Sequence, residues 1–305
     1  MAKAQAYKQL GETQAAKSLV DSCCAAKTVW AGTKRIGSKL LVLSTFILSG
    51  ALLLPTQSTA GALGARPARQ AFQTADGATL VGDVYVGRKN RPSLLMWHML
   101  GKSRQAFAAQ IPKLTSSGFG IINMDLRGHG QSTAIKNGTA LNFQTFKDSD
   151  WLKLPQDEQT IVQDAKSIRG IDGTNLVLIG SSIGANAAAM AGNSPNVKAL
   201  VLLSPGNDYH GLRPESALRA LRKPVLILAA NGDSQSADGV KSWKNLGSNV
   251  KVEIVDGSAH GNNLLDEKPQ LLTDIINFID KSVNISQKEP TPQRLDNVPQ
   301  QSSTR

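Results

Sequence analysis

The sequence predicts an α/β fold: a mostly parallel, doubly wound sheet of about eight strands flanked by helices, with no large lid. Three observations carry this. Short apolar runs recur from about residue 70 to 255 and are continuous rather than alternating, which suits strands covered on both faces. Segments of helical character fill the gaps between them. One run, at 175–180, passes through a Gly-x-Ser-x-Gly turn straight into a helix of small residues.

In chain order, Asp76-Gly77 marks a hairpin between edge strands near 70–75 and 79–86. Strands are then expected at about 93–99, 120–125, 175–180, 198–203, 224–230 and 251–255, and helices at about 103–117, 157–169, 183–192, 215–221, 236–246 and 267–282. The last helix carries Leu271, Leu272, Ile275, Ile276 and Ile279 as one stripe, read as core packing. Only a short stretch separates Ser204 from Pro224, room for one helix and not for a lid domain.

The turn Gly180-Ser181-Ser182-Ile183-Gly184 follows Asn175-Leu-Val-Leu-Ile and precedes Ala185-Asn-Ala-Ala-Ala-Met190. Strand, tight turn and helix in that order make a nucleophile elbow with Ser182 at its centre. The turn forces its central residue into a strained conformation, and bulk at the two outer positions would clash, so Gly180 and Gly184 are needed there.

A serine hydroxyl is a weak nucleophile without a base. An acid and then a histidine are expected downstream, in that order. Pro224-Val-Leu-Ile-Leu-Ala-Ala-Asn-Gly-Asp233 is an apolar strand ending in a carboxylate, and Lys251-Val-Glu-Ile-Val-Asp-Gly-Ser-Ala-His260 is a strand followed by a histidine. Both residues fall just past the carboxyl end of a strand, where open α/β sheets place their sites. In this reading His260 is the general base and Asp233 orients its imidazole. Of the other histidines, His98 and His129 precede Ser182, and His210 stands in what reads as a surface excursion. Asp208, after the preceding strand, is the alternative acid. Asp256 lies too near His260 in sequence to orient it easily. As a plain structural residue, Asp233 would cap the helix that follows it.

With these residues in place the chain resembles the α/β-hydrolase superfamily, in its small esterase or dienelactone-hydrolase-like branch. The resemblance extends to Pro92-Ser-Leu-Leu-Met-Trp-His-Met-Leu-Gly-Lys102, similar to the family's strand ending in His-Gly. It also includes Gly120-Ile-Ile-Asn-Met-Asp-Leu-Arg-Gly-His-Gly-Gln-Ser132, similar to its Asp-x-Arg-Gly-His-Gly-x-Ser loop. It spans roughly residues 70–283. It implies the α/β-hydrolase fold, and an oxyanion hole formed by the backbone N–H groups of Leu100 and Ile183. Met99 departs from the family pattern, which has Gly after that histidine, and this bears on Leu100 more than on Ile183. His98 and His129 are then structural, orienting their loops through hydrogen bonds. The aromatics Phe143, Phe146 and Trp151, in the connection 133–154, either line an acyl pocket or pack that loop down.

The 305 residues carry a formal net charge of +11, yet show no Lys/Arg-dense patch interleaved with aromatics, so nucleic-acid binding is not expected. No cofactor or metal site is expected either: both cysteines, Cys23 and Cys24, precede the predicted domain, and Asp125 is the only carboxylate close to the early histidines. Residues 1–65 read as a separate segment. A basic stretch ends at Lys39, Leu40 to Leu54 is free of charge, and small residues follow from Ser58 to Ala65. This order describes a secretory signal, with Ala60-Gly-Ala62 as a cleavage point. The apolar core is short of the roughly 20 residues of a spanning helix. The alternatives are an uncleaved anchor contacting the membrane through 40–54, and a buried helix. The expected organisation is therefore 1–65 signal or anchor, 66–283 catalytic domain, and 284–305 a disordered polar tail.

The resemblance implies a serine hydrolase cleaving small-molecule carboxylic esters through an acyl-enzyme; the signal-like segment adds the expectation of export to the periplasm or medium, or of anchoring where it is not cleaved. A peptidase or thioesterase with the same three residues, and a non-catalytic binding protein of the same fold, are the alternatives.

Overall fold

A computed structural model describes residues 66–283, apart from Asn137 and Thr139. The signal or anchor expected in 1–65 and the disordered tail expected in 284–305 lie outside the described residues.

The strands are β1 (Ala68–Gln73), β2 (Ala78–Tyr85), β3 (Ser93–Trp97), β4 (Gly120–Met124), β5 (Ala134–Ile135), β6 (Leu176–Ser181), β7 (Val197–Leu203), β8 (Val225–Ala230) and β9 (Val250–Val255). The helices are α1 (Ile111–Ser116), α2 (Asp148–Trp151), α3 (Leu154–Asp164), α4 (Ile183–Ala191), α5 (Glu215–Ala220), α6 (Ala237–Ser242), α7 (Asn263–Glu267) and α8 (Leu271–Ser282). One sheet runs in the order β1-β2-β4-β3-β6-β7-β8-β9, with β5 pairing β2 off this path. From β4 through β9 every pairing along that order is parallel; β2 is antiparallel to β1, β4 and β5.

The continuous apolar runs work because successive side chains leave opposite faces of a strand. In β3, Leu95 and Trp97 join one core and Leu94 and Met96 the other. The same parity splits β6 into Leu176 and Leu178 against Val177 and Ile179, and β8 into Val225 and Ile227 against Leu226 and Leu228. Helices α3, α4, α5 and α6 feed the first core, through Ile161, Ala188, Leu218 and Val240. Helices α1, α7 and α8 feed the second, through Leu114, Leu264 and Ile275. The predicted α8 stripe is buried at Leu271, Leu272, Ile275 and Ile279, with Ile276 half-buried against it.

Two predicted helices are each divided. The one expected at 103–117 is a 3-10 turn at Arg104–Phe107 followed by α1. The Arg104 backbone N–H and guanidinium both donate to Asp125, which pins the first turn, and Pro112 opens the second helix where a missing N–H costs nothing. The one expected at 267–282 is α7 and α8, parted at Lys268, which precedes Pro269 and leaves the helical region (φ −128°, ψ 73°). The connection 133–154, read as loop, holds β5, a 3-10 turn at Phe143–Thr145 and α2. The connection from β7 to β8 holds α5 as its single helix.

Candidate active site

Ser182 sits at the junction of β6 and α4 with φ 54° and ψ −118°, one of four non-glycine residues with positive φ among those described. That strain is held by close packing on both sides. A Cβ at Gly180 would lie 2.4 Å from the Gly184 carbonyl oxygen, and one at Gly184 would lie 2.7 Å from the His98 carbonyl oxygen. The two glycines let the helix approach its own strand and the neighbouring β3.

Asp233 follows β8 and His260 follows β9. The His260 ring bridges them: Nδ1 lies 2.7 Å from Asp233 Oδ2, and Nε2 lies 2.7 Å from Ser182 Oγ. With the ring neutral, a carboxylate on Nδ1 requires the proton there, which leaves Nε2 as the acceptor facing the serine hydroxyl. Asp233 is 5% exposed, so this bond is shielded from water. The alternative acid does not reach the histidine. Asp208 accepts from the Gly211 N–H and from Arg213 Nε, and stabilises its own exposed loop. The capping role considered for Asp233 falls to backbone instead: its carbonyl accepts from Ser236 and Ala237 N–H, while its carboxylate serves His260.

The loop after β3 is fixed by two buried histidines. His98 Nδ1 donates to the Met99 carbonyl at 2.8 Å, and Nε2 accepts from the Leu126 N–H at 3.0 Å. Burial pushes the His98 pKa down to about 3, so the ring is neutral across the working range. His129 works the same way, with Nδ1 to the Arg127 carbonyl and Nε2 accepting from the Gly101 N–H; burial lowers its pKa too. Gly101 directly follows Leu100, so these rings set the path of the segment bearing the candidate oxyanion amide of Leu100. Leu100 and Ile183 both line the pocket beside Ser182. The Ile183 N–H opens a helix, where amides have no intrahelical acceptor. Met99, the departure from the family pattern, is buried, and its Sδ lies against Gly261, the residue after His260.

Several residues that sequence reasoning missed tie these loops to the elbow. Ser181 Oγ accepts from the Asn262 N–H at 2.7 Å, which joins the nucleophile turn to the histidine loop. The Glu267 carboxylate accepts from the Ala259 N–H at 2.8 Å and braces the other side of that loop. Asn186, fully buried on α4, exchanges two hydrogen bonds with Gly206 and donates a third to the Leu212 carbonyl. The loop so held carries Tyr209. Burial, and secondarily the Asp233 charge, push the Tyr209 phenol up to about 12. These bonds join residues far apart in sequence; the local signal available was a polar residue, Asn186, amid the alanines of an otherwise apolar helix.

The cavity above Ser182 has a volume of about 230 Å³, lined by Met99, Leu100, Ser182, Ile183, Tyr209, His210, Gln235 and His260. Phe143, Phe146 and Trp151 are not in that lining. They pack the loop down instead. Phe143 stacks on His129 with ring centroids 4.0 Å apart, Phe146 meets Trp151 edge-on, and Trp151 supports the His210 ring.

A protein-family model described as serine aminopeptidase, S33, matches residues 88–238, a span that holds Ser182 and Asp233 and ends before His260. Among solved structures, the chain is similar to an esterase of Pyrococcus furiosus, with a TM-score of 0.57 at 16% identity over 71% of this chain and 90% of that one. It is similar to an esterase of a Rhodococcus species, with a TM-score of 0.57 at 18% identity over 70% and 99%. An esterase of Exiguobacterium antarcticum gives a TM-score of 0.55 at 14% identity over 69% and 99%. No curated protein matches the chain. The family match and these structures together give the chain the α/β-hydrolase fold.

Proposed function

We propose that this chain is a serine hydrolase that cleaves small carboxylic esters through an acyl-enzyme. The observation that carries the reading is the unbroken chain from Asp233 through His260 to Ser182, with both links at 2.7 Å. Ser182 Oγ attacks the ester carbonyl while His260 Nε2 takes its proton. The tetrahedral oxyanion is met by the Leu100 and Ile183 N–H groups, donors of a kind commonly contributing about 2.7–4 kcal/mol each. The imidazolium then protonates the leaving alcohol, and water releases the acid by the same steps. Asp233 holds the imidazole tautomer and balances the imidazolium charge.

A pocket of about 230 Å³ suits small esters rather than long acyl chains. The description of the matched family raises an aminopeptidase as the second reading. That activity needs an anion to hold the substrate's free ammonium, and the eight residues lining the pocket include no Asp or Glu. The pocket therefore favours ester over aminopeptide substrates. The apolar run 40–54, with the small residues after it, supports export or anchoring, as the sequence suggests.

Labelling with a fluorophosphonate probe tests the reading. The expected result is one covalent adduct on Ser182, absent in Ser182→Ala, with hydrolysis of 4-nitrophenyl butyrate lost in parallel. A folded Ser182→Ala protein that still turns the ester over would remove the assignment.

A further inference from the structure

We infer that the Tyr209 hydroxyl is a further catalytic residue of this site, donating a hydrogen bond to the alcohol oxygen of the ester as it leaves. The inference rests on the serine-hydrolase reading and extends it to the leaving group.

Tyr209 is placed over the site with unusual care. Its ring lies on Gly206, where a Cβ would sit 2.4 Å from the ring carbon Cζ. A backbone bridge pairs it with Leu212. Asn186, buried in the helix that begins at the nucleophile, spends all three of its hydrogen bonds on the two ends of this loop. Ser236 Oγ adds a fourth, to the Pro205 carbonyl at 2.6 Å. The loop is thus tied to the same helix that positions Ser182, which fixes the phenol relative to the nucleophile.

A phenylalanine would fill the same space, so the hydroxyl needs its own explanation. It faces the Gln235 carbonyl at 3.5 Å, the outer limit of a hydrogen bond. It lines the pocket. The donor is therefore weakly engaged, in a pocket whose lining it shares with Ser182 and His260.

Topology says which reacting atom it meets. β3, which leads into Leu100, lies on one side of β6; β7, which leads into Tyr209, lies on the other. Tyr209 therefore approaches from the side opposite the oxyanion amide of Leu100. That is the side of His260, whose ring meets the Tyr209 ring edge-on at 6.3 Å between centroids. When the tetrahedral intermediate collapses, the carbon–oxygen bond to the alcohol breaks, and the proton on His260 Nε2 passes to the departing oxygen. The acyl group stays on Ser182. Tyr209 keeps its own proton throughout and shares it with that oxygen while negative charge builds there. Such a bond is strongest at the moment of bond breaking, which is the condition for accelerating a step.

Two esters with one acyl group and different alcohols separate this role from packing. Ethyl butyrate releases a basic alkoxide that needs the donor; 4-nitrophenyl butyrate releases a phenolate that departs with little help. In the full chain, Tyr209→Phe is expected to lower kcat/KM for the ethyl ester by about 10- to 100-fold, the range for a hydrogen bond to a charged group. The loss on the nitrophenyl ester should be at least tenfold smaller. Fluorophosphonate labelling of Ser182 at a rate near that of the wild type shows that the variant is folded. Asn186→Ala, which frees the loop, is expected to shift the ethyl-to-nitrophenyl ratio in the same direction, whatever it does to stability. A ratio unchanged in Tyr209→Phe, with Ser182 still labelled, overturns the inference and leaves the serine-hydrolase reading intact. A wild-type chain that neither labels nor turns over either ester overturns that reading, and this inference with it.

Discussion

Asp233 and Asp157 are both nearly fully buried carboxylates, 5% and 2% exposed, and each faces one nitrogen-bearing partner. Asp157 grips Arg127, with Nε donating to Oδ2 at 2.8 Å, and Asp76 takes the guanidinium from the other side. Asp233 faces His260 alone. The partner decides what the carboxylate is for. A guanidinium is charged at every accessible pH, binds in a fork and does not let go, so Asp157 and Arg127 form a permanent clamp between the loop after β4 and helix α3. An imidazole can take up and release a proton, so in the proposed reaction Asp233 would support a charge that exists only while a proton is in transit. Glu158, the next residue, shows the third outcome. It has no cationic partner, and burial pushes its carboxyl well above the ordinary range, which favours the protonated form. Similar burial thus goes with a clamp, a proposed reaction partner and an acid whose protonated form is favoured.

The sharpest way to break this comparison is to remove each charge without changing shape. Asp233→Asn should lower kcat by about 10⁴-fold, because an amide in that place favours the wrong imidazole tautomer. His260→Ala should cost a similar factor, and the double variant little more, since the three residues act as a unit. Thermal unfolding should hardly change in Asp233→Asn. Asp208→Asn, on its exposed loop, should leave kcat close to that of the wild type. Steady-state kinetics on one ester checks all four proteins, and a greater loss in Asp208→Asn would move the acid to the earlier strand.

Asp157→Asn should do the reverse. Removing one partner of a buried ion pair commonly costs about 3–5 kcal/mol. For a domain of this size that is a fall in Tm of roughly 6–15 °C. Turnover per folded molecule should stay within a few-fold of the wild type, because the clamp does not touch the cavity lining. Calorimetry and active-site titration together separate the two effects. A variant of unchanged Tm and poor turnover would place Asp157 in the reaction.

A smaller effect concerns pH. His98 is neutral in the folded state with its pKa lowered from 6.5 to about 3. The unfolded chain therefore takes up a proton at this residue below about pH 6.5 that the folded chain refuses. Stability contributed here is unchanged above that pH and falls as the solution is acidified towards pH 3, by up to about 1.4 kcal/mol per unit. His98→Gln, which keeps one donor and one acceptor, should be less stable at pH 7.5 yet lose less on going to pH 5. Tm measured across that range tests this. Parallel slopes in the two proteins would mean that another group carries the acid sensitivity.

What was legible in the sequence follows from how local each constraint is. The elbow is written in five residues because the steric need for Gly180 and Gly184 arises within the turn and against the adjacent strand. Ser182, Asp233 and His260 were legible because each follows the carboxyl end of a strand; Asp208 does so too, and it is the structure that separates it, bringing the other three side chains together while Asp208 binds Gly211 and Arg213. The two helix breaks were partly visible: Pro269 marks one, while the other depends on Asp125 capturing Arg104 from 21 residues away. β5, only two residues long, exists because β2 is there to pair with it. The Ser181–Asn262 bond spans 81 positions, and the Asn186 bonds to Gly206 and Leu212 span 20 and 26. No periodicity or propensity encodes such pairs; folding brings them together.

The smallest expected effect comes from removing the first 64 residues. The clamp is built from Asp76, Arg127 and Asp157, and the site from Ser182, Asp233 and His260, all within the described residues. Both cores draw on residues from Phe72 onward. A chain beginning at Ala65 should therefore fold, with Tm within a few degrees of the full chain and kcat/KM for 4-nitrophenyl butyrate within about twofold, a difference of under ~0.5 kcal/mol. Among the described residues no helix is long and apolar enough to cross a membrane, so any membrane attachment by a spanning helix must come from outside them. In the anchoring alternative, the uncharged run 40–54 would be the segment in contact with the membrane. N-terminal sequencing of the protein from its native host separates the outcomes. A start near residues 63–66 means cleavage, and an intact start in the membrane fraction means an anchor. An intact Met1 on protein recovered from the cytosol would rule out export and anchoring alike.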